Sequence, residues 1–122
     1  MKSALIVDDD KTNLKIAELT LKVFCDVTCV ESGDEALSLL DNNKFDILLL
    51  DIKMPNRDGF ETLHSLREKE NGIDIPVIFL TALEDEGSEA KGLALGAVDY
   101  VSKPFSPALL HARLRNQLEL KR

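Results

Sequence analysis

Six residues, Phe45-Asp46-Ile47-Leu48-Leu49-Leu50, are apolar at five positions and run straight into Asp51. A run this short, apolar without alternation and bounded by polar residues, reads as a strand buried on both faces. Strands of that kind belong to parallel sheets covered by helices on either side. This run therefore narrows the architecture more than any other stretch of the chain. It also makes Asp51 conspicuous, because open α/β sheets bind their ligands in the crevice at the C-terminal ends of the strands.

Shorter apolar runs lie near residues 4–7, 27–30, 75–80 and 98–101, with helical patterns between them. Ser32 with Glu35, and Asp58 with Glu61, have capping-box spacing and start two of the helices. Ser106-Pro107 suits the N-cap and first turn of a last helix, and Gly96 is placed to end the helix before it. Five βα units in 122 residues predict one α/β domain over 1–122: a doubly wound (βα)5 fold whose five-stranded parallel sheet has helices on both faces. The fourth helical pattern contains Gly87 and Gly92, each costing roughly 1 kcal/mol relative to alanine. It is expected to be the weakest helix and the one that shifts. In the last helix Leu110, Leu114 and Leu118 form a core stripe, while Leu109 and Leu120 fall on another edge. No stop signal precedes Arg122, so this helix is expected to lead into something longer or to pack on a partner.

The net charge of −7 weighs against sequence-independent nucleic-acid binding by this domain. Cys25 and Cys29 are four apart with neither histidine near, which fits no zinc set and no redox motif. They read as reduced cytoplasmic thiols, Cys29 in a strand and Cys25 in a turn. Met1 leads directly into a strand and no apolar stretch approaches the ~20 residues of a membrane span, so neither a signal peptide nor a membrane segment is expected.

The other strand ends carry chemistry of their own. Leu5-Ile6-Val7 runs into Asp8-Asp9-Asp10, Val98 to Val101 runs into Ser102-Lys103-Pro104-Phe105, and Pro76 to Leu80 runs into Thr81. Singly, each has a duller explanation: a solvated turn and helix cap for the three aspartates, a cap for Asp51, a surface lysine, a strand-end threonine. Brought to one sheet edge, the carboxylates cannot all stay ionised without a cation, and an all-oxygen set suits Mg²⁺ or Mn²⁺. A calcium loop starting at Asp8 fails, because Asn13 and Leu19 stand where glycine and glutamate are needed. With a metal and Lys103 beside it, Asp51 can act as a nucleophile toward phosphorus and form an aspartyl phosphate. Thr81 could add a hydroxyl. His64 and His111 lie on helical patterns away from the strand ends and read as surface residues without a catalytic role.

Five landmarks in order carry a family resemblance: Leu5-Ile6-Val7-Asp8-Asp9; Leu49-Leu50-Asp51-Ile52-Lys53-Met54-Pro55 with Asp58-Gly59; Leu80-Thr81-Ala82; Gly96-Ala97-Val98-Asp99-Tyr100; and Lys103-Pro104-Phe105. Over essentially its whole length the chain resembles the receiver domains of bacterial two-component response regulators, the CheY-like family. The resemblance implies strand order 2-1-3-4-5 and a phosphorylation-controlled signalling switch, not a multiple-turnover enzyme. It implies Asp51 as phosphoacceptor, with Mg²⁺ held by Asp9, Asp51 and the Lys53 backbone carbonyl, and Asp8 acting through a bound water. Lys103 would pair with the phosphoryl group and Thr81 would hydrogen-bond it. Tyr100 matches the aromatic that turns inward when the threonine moves, and the Lys103–Pro104 bond would be cis. The implied donor is a sensor histidine kinase or phosphotransfer protein. The implied readout is an output domain or partner at the face built from the fourth and fifth helical patterns and the fifth strand (the α4-β5-α5 face of the family).

Other functions fit less well. A haloacid-dehalogenase-type phosphatase needs a second aspartate where Lys53 stands, and a flavin- or nucleotide-binding domain needs a glycine-rich first turn that is missing. A receiver-shaped interaction module that never takes phosphate remains the alternative. Two departures from the family pattern matter. Asp99 and Arg113 match charged residues used in family dimers, but Val98 and Leu109 stand where acidic residues are common, which points to a more apolar phosphorylation-dependent homodimer. Lys53 and Leu83 occupy the positions that tune acyl-phosphate hydrolysis, and leucine cannot orient a water. The phosphoryl state should therefore be long-lived. Leu83→Asn is expected to lose phosphate several-fold faster in a hydrolysis time course, and an unchanged lifetime would remove this role from Leu83.

Overall fold

The structure, a computed structural model, describes residues 1–82, 91, 93–103 and 106–120, the side chains of Thr81, Ala82 and Leu120 excepted. Five strands, β1 (Lys2–Val7), β2 (Cys25–Val30), β3 (Ile47–Asp51), β4 (Val77–Ala82) and β5 (Asp99–Lys103), form one sheet in the order β2-β1-β3-β4-β5. All neighbouring pairs are parallel. Helices α1 (Lys11–Leu21), α2 (Gly33–Leu40) and α3 (Gly59–Leu66) and a C-terminal helix (Pro107–Leu120) cover it. The expected doubly wound sheet and strand order are thus observed. The fourth helical pattern, with Gly87 and Gly92, lies outside the described residues except near its end, where Lys91, Leu93 and Ala94 are helical.

The apolar run in β3 is continuous because both of its faces are buried. Leu48 and Leu50 join Leu5, Val7, Val77 and Phe79 in a core under α2 and α3. Ile47 and Leu49 join Ala4, Ile6, Ile78, Leu80 and Val101 in a second core with α1 and the C-terminal helix. That assignment is the period-two alternation of a strand expressed twice, once toward each helical layer. The C-terminal helix meets its core through Leu110, Leu114 and Leu118, as its stripe predicts, and Leu109 stays exposed.

The caps are largely where the sequence places them. Asp58 and Glu61 complete a reciprocal capping box at α3. At α2 half the box forms: Glu35 N–H donates to Ser32 Oγ at 3.2 Å, and the Ser32 hydroxyl donates to Glu35 Oε1. Leu109 N–H donates to Ser106 Oγ, and Gly96 turns at φ +104°. Two expectations are corrected. Cys25 is not a turn residue but opens β2 and is buried, because β2 pairs with β1 from Lys2 onward. His111 is half-buried, its ring 4.4 Å from that of Phe24. Asp51 is the last residue of β3, at the strand end where the apolar run places it, and Lys103 is the last of β5.

Gly59 brings α3 against the end of β3. Its N–H donates to Ile52 O at 2.8 Å, and a Cβ there would lie 2.4 Å from Asp51 O and 2.8 Å from Ile52 Cα. Neither backbone atom can yield without moving the strand end. Gly59→Ala should cost roughly 1–3 kcal/mol in urea unfolding and weaken divalent-cation binding at Asp51. A variant as stable as wild type would show that this approach can relax.

Candidate functional site

The strand ends converge because of strand parity and register. Asp8 is two residues beyond Ile6, Asp51 two beyond Leu49 and Lys103 two beyond Val101, so each continues the face that packs on α1 and the C-terminal helix. Val7 is in register with Leu50, which puts Asp8 beside Asp51. Lys103 is two strands away, paired with Ala82 on β4, where Asp51 pairs with Leu80. Its backbone is thus about 10 Å across the sheet and about two residues further out. A long side chain is needed to span that gap. Lys103 Nζ lies 2.9 Å from Asp51 Oδ1 and 2.9 Å from Asp8 Oδ2. The contact with Asp51 is a hydrogen bond and that with Asp8 Oδ2 an ion pair, so one ammonium serves both buried carboxylates.

The three consecutive aspartates divide their tasks. Asp10 caps α1, its carboxylate accepting from Thr12 N–H at 2.9 Å and Asn13 N–H at 3.4 Å. Asp8 is fully buried and accepts Asp10 N–H through Oδ1. Asp9 is exposed on the cleft. Carboxylate oxygens of Asp8, Asp9 and Asp51 lie within 4.8 Å of one another. Asp9 and Asp51 line, with Asn13, Lys53 and Lys103, a cleft of about 300 Å³, while Asp8 lies buried beneath it. Larger hollows of about 520 Å³ and about 410 Å³ lie on α2 and at the N-terminal ends of the strands; the latter is lined by Lys44, Asp46, Glu70 and Asp74, but among the described residues only Asp8, Asp9 and Asp51 bring carboxylate oxygens within 4.8 Å of one another.

The loop after β3 is anchored on both sides of Lys53. Ile52 and Met54 are buried in the core, so alternation turns Lys53 outward at the cleft. Arg57 ties the loop to α2 and α3, donating to Asp34 Oδ1 at 2.8 Å and Ser65 Oγ at 3.1 Å. Asn56 takes φ 70° and Arg57 N–H reaches back to Pro55 O at 2.8 Å, closing a three-residue turn. Asn13 and the close approach of Gly59 are features the residue pattern did not single out. Asn13 could have been found as the third residue of a helix capped by Asp10. The backbone of Thr81 ends β4 beside the site, but its hydroxyl, Leu83 and the Lys103–Pro104 bond lie outside the described residues. Tyr100 is half-buried against the α2/α3-side core.

The electrostatics call for a cation. Burial pushes the Asp51 carboxyl up to about 7, with the charge of Asp8 adding to it and the Lys103 hydrogen bond opposing it. Burial pulls Lys103 down, but the adjacent Asp8 and Asp51 more than offset this and hold its ammonium above the usual lysine value. One ammonium shared by two carboxylates stays charged; the surplus negative charge falls on Asp51. The oxygen donor set and the surplus charge both fit a hard divalent ion.

A raised carboxylate pKa makes the folded state hold a proton that the unfolded chain has released. Without divalent cation, that contribution is full below about pH 4, the unfolded carboxylate range, and is lost as pH rises through about 7. Asp51→Asn is expected to raise the melting temperature at pH 7–8 in chelator and to flatten its pH dependence. Added Mg²⁺ should stabilise the wild type and not the variant. Equal pH profiles for the two proteins would remove Asp51 as the strained group.

The comparisons agree with this geometry. Residues 4–115 match the family model for the response regulator receiver domain. The chain is 42% identical over 115 residues to the protein named probable transcriptional regulator ycf27 of Cyanidium caldarium, covering 93% of this chain and 45% of that one. It spans about half the length of the curated relatives it matches. Among solved structures, the receiver domain of the Francisella response regulator 1452 superposes with TM-score 0.90 at 32% identity, over 100% of both chains. DrrB of Thermotoga maritima, described as an OmpR/PhoB homolog, superposes with TM-score 0.87 at 35% identity, over 100% of this chain and 54% of that one.

Proposed function

The chain belongs to the receiver domains of the two-component response regulators, and we propose that Asp51 is the residue on which it takes a phosphoryl group. Receiver domains are signalling rather than catalytic domains; they interact with histidine kinases and output domains. The observation that carries the assignment is the Lys103 ammonium set 2.9 Å from both Asp51 and Asp8 at the C-terminal edge of a parallel sheet.

An Asp51 oxygen attacks phosphorus while the bond from phosphorus to the donor's imidazole nitrogen breaks, so the imidazole leaves and an aspartyl phosphate forms. Attack needs the ionised carboxylate, and a pKa of about 7 leaves much of it protonated at neutral pH until positive charge is added. Asp9, Asp51 and the Lys53 backbone carbonyl would hold Mg²⁺ or Mn²⁺, with Asp8 acting through a water, and the chemistry supplied there would be charge neutralisation at the transferring phosphoryl oxygens. Lys103, already at Asp51 Oδ1, follows the new charge onto the phosphoryl group, and Thr81 hydrogen-bonds it. Asp10 contributes rigidity, since its carboxylate is committed to the α1 cap.

The donor is a histidine kinase or phosphotransfer protein in the cytoplasm. The chain acts as the receiver part of a longer transcriptional regulator, and its readout lies on the face around β5 and the C-terminal helix, near Tyr100. Within the chain Arg113 pairs with Asp99 at 3.1 Å, so a phosphorylation-dependent self-contact there draws more on Val98 and Leu109, both exposed. With a net charge of −7 this domain does not itself bind nucleic acid. Among the described residues no helix is long and apolar enough to cross a membrane.

Intact mass after incubation with acetyl phosphate tests the assignment. The wild type with Mg²⁺ should gain one adduct of about 80 Da, absent in chelator and in Asp51→Ala. A wild type that binds Mg²⁺ yet gains no mass would leave the phosphate-independent interaction module as the reading.

A further inference from the structure

Arg67, the residue that caps the end of α3, sits outside the phosphoryl site and joins two separate pieces of backbone through three carbonyls. Its Nη1 donates to Gly72 O at 2.9 Å and Ile75 O at 2.6 Å, both on the connection from α3 to β4. Its Nη2 donates to Gly96 O at 3.3 Å, in the turn that leads into β5. Two short bonds hold the guanidinium to the α3–β4 connection and the long one reaches the turn, so the Gly96 bond is the one that yields first.

Among the described residues leading to Gly96, Lys91 and Leu95 also approach α3. Lys91 Nζ lies 4.5 Å from the centroid of the Phe60 ring, and Phe60 in turn meets Phe79 of β4 edge-on at 5.3 Å. Between α3 and this segment a cleft of about 110 Å³ remains, lined by Phe60, Leu63, His64, Arg67 and Leu95. A liquid water takes up roughly 30 Å³, so Leu95 and α3 are not close-packed at this point. Gly96 supplies the pivot: its φ of +104° is costly for a side-chain residue, and a Cβ there would meet nothing within 4 Å. Leu93, Leu95 and Val98, the exposed apolar residues of this region, flank that pivot.

We infer that Arg67 is a latch that holds the turn before β5 against α3 and so sets the resting position of the surface carrying Leu93, Leu95 and Val98. A planar guanidinium can serve three carbonyls at once; a lysine ammonium cannot match that fork. Loosening the latch raises the population of the shifted arrangement. On the reading that this arrangement goes with a phosphoryl group at Asp51, it also tightens binding of a phosphoryl mimic.

Hydrogen–deuterium exchange on the phosphate-free protein tests the latch directly. Three amides report on the segment: Leu95 (bonded to Lys91 O), Gly96 (to Leu93 O) and Val98 (to Val77 O). In Arg67→Lys and Arg67→Met they should exchange on the order of fivefold faster, with β1 and α1 amides unchanged. Lys91→Ala, which leaves Arg67 in place, should give a smaller increase. Unchanged exchange at these amides, or acceleration shared equally by β1, would overturn the latch and leave Arg67 as a plain structural cap. The second measurement is apparent affinity for beryllofluoride with Mg²⁺, expected to rise several-fold in Arg67→Lys. Faster exchange without that rise would overturn its link to the signalling state. A wild type that binds no beryllofluoride would count against the Asp51 assignment and leave the exchange result standing.

Discussion

One ammonium between two carboxylates organises the functional end of this molecule. Lys103 reaches across two strands to Asp8 and Asp51, and nothing shorter than a lysine could do so from β5. The ammonium makes it tolerable to bury Asp8 completely and Asp51 almost completely. It does not neutralise them both, and Asp9 adds a further carboxylate at the rim. The site is thus left with an excess of negative charge that a divalent cation or a protonated Asp51 must absorb. A carboxylate held near its own pKa beside an ammonium has the properties the proposed phosphoacceptor needs.

That arrangement depends on the doubly covered sheet. Because both faces of β1 and β3 are apolar, strand parity decides which helical layer each residue faces. The alternation that seats Ile6, Leu49 and Val101 under α1 and the C-terminal helix delivers Asp8, Asp51 and Lys103 on the same side. A one-residue slip in any of the three strands would turn its functional side chain to the opposite layer. Gly59, packed on the backbone of Asp51, and the buried pair Ile52 and Met54 hold the loop whose Lys53 borders the cleft.

Particular residues mark how far the chain could be read in advance. The unbroken apolar run before Asp51 announces a central parallel strand, and the Asp58/Glu61 spacing announces α3. Both signals are local, carried by residues within one element. Cys25 was read as a turn because β-pairing extends two residues further than its own apolar pattern suggests; β1 draws it into the sheet through the register with Lys2. The separate fates of Asp8, Asp9 and Asp10 were not legible either. One becomes buried, one borders the cleft and one caps a helix. The contacts that divide them come from β3, β5 and the first turn of α1, which no spacing within Asp8-Asp9-Asp10 encodes.

Arg67 is the clearest case of a residue whose part is set by distant backbone. In the sequence it is a charged residue at the end of a helical pattern. In the fold it gathers carbonyls 5, 8 and 29 residues away. The sequence by itself determined the element types, the two-sided burial of the sheet and the identity of the groups at the strand ends, because periodicity, caps and strand-terminal residues are properties of neighbours along the chain. Only the tertiary structure decided which oxygens Lys103 reaches, which aspartate lies buried and which carbonyls Arg67 ties together. Those outcomes follow from strand register and interhelical distance, which arise when elements far apart in sequence are packed against one another.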